Sequence, residues 1–183
     1  MVFFMNFHFA IGIDLGTTNS ALAFQPLDQG EECGCSILPI PQLSDIGKLE
    51  DNQILPSCCY LPTPYEVKHA NFSLPWDNDQ TKNDYAVGLM AYNRLSTTPE
   101  LVVQSAKSWL SFPDVNRTAP ILPWGNNEIP SEKKISPLEA SARYLKHFKD
   151  AWNYLMAKDK PEASFEKQER SENVEVGKIN HEG

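Results

Sequence analysis

Two short apolar runs open the readable part of the chain, Ala10–Asp14 and Ala21–Phe24, with the polar stretch Leu15–Ser20 between them. Runs of this length, rich in Ile, Leu, Phe and Ala and parted by Gly, Thr, Asn and Ser, predict two buried strands folded as a β-hairpin. Pro26–Asn52 is polar and punctuated by Gly30, Gly34, Pro39, Pro41 and Gly47, which predicts a long loop holding at most a strand at Ser36–Ile40. Cys58–Leu61, bracketed by Pro56 and Pro62, predicts a strand. Pro62–Asn83 predicts a second loop, and Tyr85–Val87 a short strand closed by Gly88. Helical signals follow at Leu89–Leu95 and at Pro99–Leu110, the latter with Thr98 as N-cap and Pro99 at the first helical position. Pro113–Pro130 is irregular. Pro137–Ala157 carries the clearest pattern. Ser136 and Glu139 make a capping box around Pro137. Leu138, Ala142, Leu145, Phe148, Trp152 and Leu155 recur at helical spacing, predicting one apolar face. From Lys158 onward the charges alternate in sign without a sustained period, which predicts a disordered or aberrant tail over 158–183.

Composition narrows the function classes. Hydrophobic residues make up 41% and charged residues 22% of 183, ordinary for a globular protein, and the net charge is −8. That surface repels phosphate backbones and anionic lipid, so neither nucleic acid nor a membrane is an expected partner. The four cysteines, Cys33, Cys35, Cys58 and Cys59, lack zinc-site spacing and read as reduced thiols, with Cys58 or Cys59 packed in a strand. Met1–Ala10 is apolar but lacks the basic flank and cleavage site of a signal peptide. Together these features place the expected location in the cytoplasm.

The chemistry concentrates in Ile11-Gly12-Ile13-Asp14-Leu15-Gly16-Thr17-Thr18-Asn19-Ser20. Gly16 lets a backbone approach a ligand closely. Successive N–H groups in such a turn can converge on an anion, and Thr17 and Thr18 add hydroxyl donors. Asp14 is compatible with a phosphate only if a cation lies between them, and a carboxylate at a strand end can hold Mg²⁺ directly or through water. The same residues equally suit a plain hairpin turn. A Walker A loop and a dinucleotide fingerprint are both excluded by the glycine spacing.

Ile11–Ser20 resembles the first phosphate motif of the Hsp70 chaperones, within the superfamily that also holds actin and the sugar kinases. Leu55-Pro56-Ser57, Val87-Gly88 with Ala91, and Ser105-Ala106-Lys107 resemble later segments of that family in the same order. Ser108 departs from it, since the family usually has Arg there. The resemblance implies an α/β fold, an actin/Hsp70-like (ribonuclease H-like) ATPase lobe with a β-hairpin phosphate loop. The resemblance covers roughly residues 9–157, and the family's second phosphate loop and adenosine motif find no match, so it implies an incomplete first lobe over 1–157. By the same resemblance Gly16, Thr17, Thr18 and Asn19 bind the phosphates of ATP or ADP. Asp14 organises Mg²⁺, and Lys107 is the catalytic lysine at the γ-phosphate. The implied function is an ATP-binding, ATP-hydrolysing chaperone whose partners are client polypeptides and co-chaperones. Such a fragment is expected to be weak or inactive alone. The alternatives are a sugar-kinase-like phosphotransferase of the same superfamily and a non-catalytic remnant.

Overall fold

The structure is a computed structural model that describes residues 8–27, 34–78, 80–81, 83–125 and 133–168. It is a mixed α and β protein built from small antiparallel sheets. Strand β1 (Phe9–Leu15) pairs with β2 (Asn19–Pro26) in a regular register from Phe9–Pro26 to Leu15–Ser20. The second edge of β2 receives two short strands, β3 (Ser36–Ile37) and β6 (Leu55–Pro56). Strands β4 (Ile40–Asp45) and β5 (Lys48–Asn52) form a separate hairpin. A third sheet sets β7 (Cys58–Tyr60) between β8 (Ala86–Val87) and β9 (Val102–Gln104). Because β6 and β7 are parted only by Ser57, one stretch of chain ties the first sheet to the third.

Among the described residues the α-helices are α1 (Pro64–His69), α2 (Leu89–Arg94), α3 (Ala106–Leu110) and α4 (Pro137–Met156). Alternation along β1 turns Phe9, Ile11, Ile13 and Leu15 inward, against a core that includes Leu22, Leu55, Phe148 and Trp152. Phe9, Phe24 and Trp152 meet edge to face, with ring centroids 5.2–5.9 Å apart, the geometry that aromatic quadrupoles favour. A second core lies between α2 and β7, around Leu43, Tyr60, Phe72 and Met90.

Several local expectations are revised. The loop expected over 26–52 contains the β4–β5 hairpin. Ile40–Leu43 is buried without alternation and Lys48–Glu50 is exposed, so neither strand shows the period-two signal, and Gly47 supplies the turn at φ 67°. The loop expected over 62–83 contains α1. Its Thr63–Glu66 capping box is complete, Thr63 Oγ1 accepting from Glu66 N–H while Glu66 accepts from Thr63 N–H. The helix expected over Pro99–Leu110 is broken. Pro99–Leu101 is a 3₁₀ turn, Val102–Gln104 is β9, and only the last five residues are helical. The β-branched pair Val102-Val103 gains more by pairing with β7 than from helix. At α4 only half the expected capping box forms: Ser136 accepts from Glu139 N–H, but the Glu139 carboxylate turns to Arg143. The buried face of α4 is also rotated from the expected one, onto Ala140, Tyr144, His147, Phe148, Ala151 and Trp152, leaving Leu138 and Leu145 exposed.

Packing runs past Ala157, the expected end of the lobe. Two 3₁₀ turns, Pro161–Ala163 and Phe165–Lys167, fold back on α4. Trp152 Nε1–H donates to the Ala163 carbonyl at 2.8 Å, and Gln168 Oε1 accepts from the N–H groups of His8 and Phe9. The buried indole donor needs a partner, and the turn at Ala163 supplies it. The remainder of the expected tail, 169–183, and the start of the chain, 1–7, lie outside the described residues, as does Cys33.

Candidate functional site

The hairpin between β1 and β2 turns through Gly16, Thr17, Thr18 and Asn19. Its back is held by one side chain. Ser57, buried between β6 and β7, donates its hydroxyl to the Gly16 carbonyl at 2.9 Å, and its own N–H donates to the Thr18 carbonyl at 2.8 Å. Ser57 has one hydroxyl proton, already given to Gly16, so the 2.9 Å contact with Ser20 Oγ is a bond donated by Ser20. Tyr144 of α4 donates to the Ser57 carbonyl at 3.1 Å. The turn is therefore fixed to the core through its carbonyls. Burial at Ser57 makes each of these bonds costly to lose.

The front of the turn is open. Asp14, Thr17, Thr18 and Asn19 are exposed. Among the described residues, the N–H groups of Gly16, Thr17 and Thr18 have no hydrogen-bond partner. Carbonyls inward and amides unpaired give a surface with excess donors, which suits an anion. The turn contains no left-handed residue, so it is not the alternating αR–αL nest. Gly16 has a reason internal to the turn: a Cβ there would stand 2.0 Å from the Asn19 carbonyl oxygen. Its glycine is required by the tight closure itself, whatever else it serves.

Lys107 is exposed in the first turn of α3. In the β7–β9 register Cys58 lies opposite Gln104, so β9 ends beside the strand end next to Ser57. Ser105 then takes a left-handed conformation, φ 55°, and the chain turns at once into α3. For a residue with a Cβ that conformation carries strain. The sheet thus brings Ser105–Lys107 to the end of β7 that also holds the hairpin turn. Ser57, Ser20 and Tyr144, which hold the site from behind, were not among the expected site residues. Ser20 closes the motif Ile11–Ser20 without a role assigned to it, and Leu55-Pro56-Ser57 carried the signal for Ser57.

For a metal, Asp14 offers one carboxylate on the outward face of β1. No group of three or more His, Cys, Asp or Glu able to hold a metal occurs among the described residues. A lone carboxylate fits a Mg²⁺ carried mainly by phosphate oxygens and water, and does not fit a resident protein-held ion. Two cavities lie elsewhere. A small one is enclosed by Trp76, Asp77, Asn83, Tyr85 and His147, and a shallow one of about 430 Å³ is lined by Pro41, Leu49, Glu50, Asp51, Tyr154 and Leu155. Neither is lined by a turn residue, and the second presents two carboxylates and no cation.

The titrating groups with shifted behaviour are structural. Burial pushes the Cys58 and Cys59 thiols up to about 11, in Cys59 against the opposing pull of Arg143. Such thiols are neutral and unreactive, which agrees with their expected packing in a strand. Burial also lowers His147 to about 4, so the ring is neutral where its Nε2 meets the Pro41 carbonyl at 2.9 Å. No protein-family model matches the chain, and no curated protein matches it in sequence. Among the described residues no helix is long and apolar enough to cross a membrane.

Proposed function

We propose that this chain is an ATP-binding lobe of the Hsp70 type, binding the phosphates of ATP·Mg²⁺ on the turn Gly16–Asn19. The observation that carries the reading is the two-sided character of that turn: carbonyls tied inward to Ser57, amides and threonine hydroxyls free outward. Preorganised donors of this kind bind an anion without a further ordering cost. In this reading Thr17, Thr18 and Asn19 hold phosphate oxygens, and Gly16 closes the turn. Asp14 orders water on the nucleotide's Mg²⁺. Lys107 supplies positive charge at the terminal phosphate, a positioning and electrostatic role. The left-handed Ser105 just before it supports the reading, because backbone strain concentrates where a side chain must be aimed.

Neither of the two cavities described above is lined by a turn residue. Thr17, Thr18 and Asn19 are exposed, and an exposed phosphate site gains little over water, so binding by this chain alone is weak and turnover slow. In a complete protein, hydrolysis at this site would drive a change in lobe closure and so act on client polypeptides, with co-chaperones as further partners.

The test is titration of the full chain with ATP by calorimetry, with and without Mg²⁺. The expected result is Mg²⁺-dependent binding weakened at least about fivefold by Asp14→Ala and by Lys107→Ala. Binding that is absent, or indifferent to Mg²⁺ and to both substitutions, overturns the reading.

A further inference from the structure

Three segments far apart in sequence enclose the groove of about 430 Å³ that lies away from the phosphate turn. The β4–β5 hairpin forms one side through Pro41, Leu49, Glu50 and Asp51. Pro75 forms a second side, and Tyr154 and Leu155, in the last turns of α4, form the third. Contacts behind the groove hold the three together. His147 of α4 meets the Pro41 carbonyl at 2.9 Å, and since a carbonyl only accepts, its Nε2–H is the donor. The Trp76 ring, next to Pro75, meets His147 edge on with centroids 5.1 Å apart and meets Tyr154 at 6.2 Å. The walls are therefore fixed before anything binds, which removes an ordering cost from binding.

The lining has two characters. Prolines, leucines and the Tyr154 ring make it apolar, and Leu49 and Leu155 are 48% and 41% exposed. Glu50 and Asp51 make it acidic. Asp51 stands opposite Pro41 in the β4–β5 register, so its carboxylate borders the proline wall. Both carboxylates are exposed, and among the described residues neither has an ion-pair partner. The Tyr154 ring already attracts a cation: the ammonium of Lys158 lies 5.3 Å from its centroid, within the range of a cation–π contact. Lys158 is exposed, so an incoming group can displace it at little cost.

We infer that this groove docks an arginine side chain carried by an extended apolar stretch of a partner polypeptide. The charge of the lining selects the cation. Its shape and ring select arginine. A guanidinium is planar and weakly hydrated, so it can lie on the Tyr154 ring while its five donors serve Glu50 and Asp51 together. A lysine ammonium is a strongly hydrated point charge and does less of both. Apolar neighbours of the arginine cover Leu49 and Leu155, which a free small cation would leave exposed. The net charge of −8 draws a basic segment toward this surface. The surface is separate from the turn and independent of the nucleotide reading.

The test is fluorescence anisotropy of the full chain with a fluorescein-labelled peptide, Gly-Ser-Leu-Pro-Arg-Pro-Leu-Ser-Gly, and with the same peptide carrying lysine or uncharged citrulline in place of arginine. The arginine peptide should bind with a Kd on the order of 10–100 µM, weakened about threefold or more by lysine and about tenfold or more by citrulline. Glu50→Gln combined with Asp51→Asn should weaken it about fivefold or more. Both carboxylates are exposed, so this variant should keep the parent's urea midpoint. Tyr154→Ala should weaken binding to a similar degree, while Tyr154→Phe, which keeps the ring and its Trp76 contact, should bind like the parent. No binding at about 1 mM peptide, equal binding of the citrulline peptide, or indifference to the loss of both carboxylates overturns the inference.

Discussion

Ser57→Ala removes the hydroxyl on which the hairpin turn rests. Two neutral hydrogen bonds go with it, the one donated to the Gly16 carbonyl and the one accepted from Ser20, each 2.9 Å long. Each is worth about 1 kcal/mol net, and the buried Ser20 hydroxyl left without an acceptor adds a further 1–3 kcal/mol. The expected loss of stability is about 3–5 kcal/mol, read from urea denaturation. The Tyr144 bond to the Ser57 carbonyl and the Ser57 N–H bond to Thr18 are main-chain contacts and survive. Because part of the penalty is an orphaned hydroxyl, adding Ser20→Ala should recover about 1 kcal/mol, leaving the double variant more stable than Ser57→Ala alone. A Ser57→Ala protein within about 0.5 kcal/mol of the parent, or a double variant showing simple additive loss, refutes the bracing role.

Gly16→Ala must open the turn, because its methyl would fall 2.0 Å from the Asn19 carbonyl oxygen; the expected cost is about 1–3 kcal/mol in the same denaturation assay, with loss of nucleotide binding. His147 is held neutral, its folded value of about 4 lying below the unfolded 6.5. Its contribution is complete above pH 6.5 and is lost as pH falls from 6.5 through 4, to about 3 kcal/mol in all, and His147→Gln should flatten that part of a stability–pH profile. Trp152→Phe keeps most of the aromatic packing but loses the donor to Ala163, so a loss of about 1–2 kcal/mol should come with faster proteolysis between Pro161 and Gln168. In the native protein Cys35, exposed, should react with a thiol reagent while Cys58 and Cys59 react only on unfolding.

The parts of the fold visible in the sequence are those whose local signals agree with their packing. The first hairpin, the Cys58 strand and the long helix combine apolar runs with flanking Gly, Pro or Ser. The misread parts are those where tertiary contacts decide. Gln42 is fully buried in β4, with Nε2–H donating to the Ile54 carbonyl and Oε1 capping the first amide of α2, Leu89, at 2.7 Å. A buried glutamine serving two distant segments leaves no trace in a hydrophobic pattern. Val102-Val103 reads as helix beside Thr98-Pro99 until β7 is there to pair with it. The α4 face is rotated because Arg143 and His147, polar by type, reach inward to Cys59 and Pro41. Of the site, Asp14 and the turn were legible as donors and acceptor. The Ser57 bracket was not, since a serine 37 residues from Ser20 in sequence carries no periodic signal.

The most direct test of the central claim is a ¹H–¹⁵N NMR titration of the full chain with ATP·Mg²⁺. The account predicts that the amides of Gly16, Thr17 and Thr18 shift first and saturate together, while those near the cavity at Glu50 and Asp51 stay in place. Shifts confined to that cavity, or none at the turn at millimolar nucleotide, would contradict it.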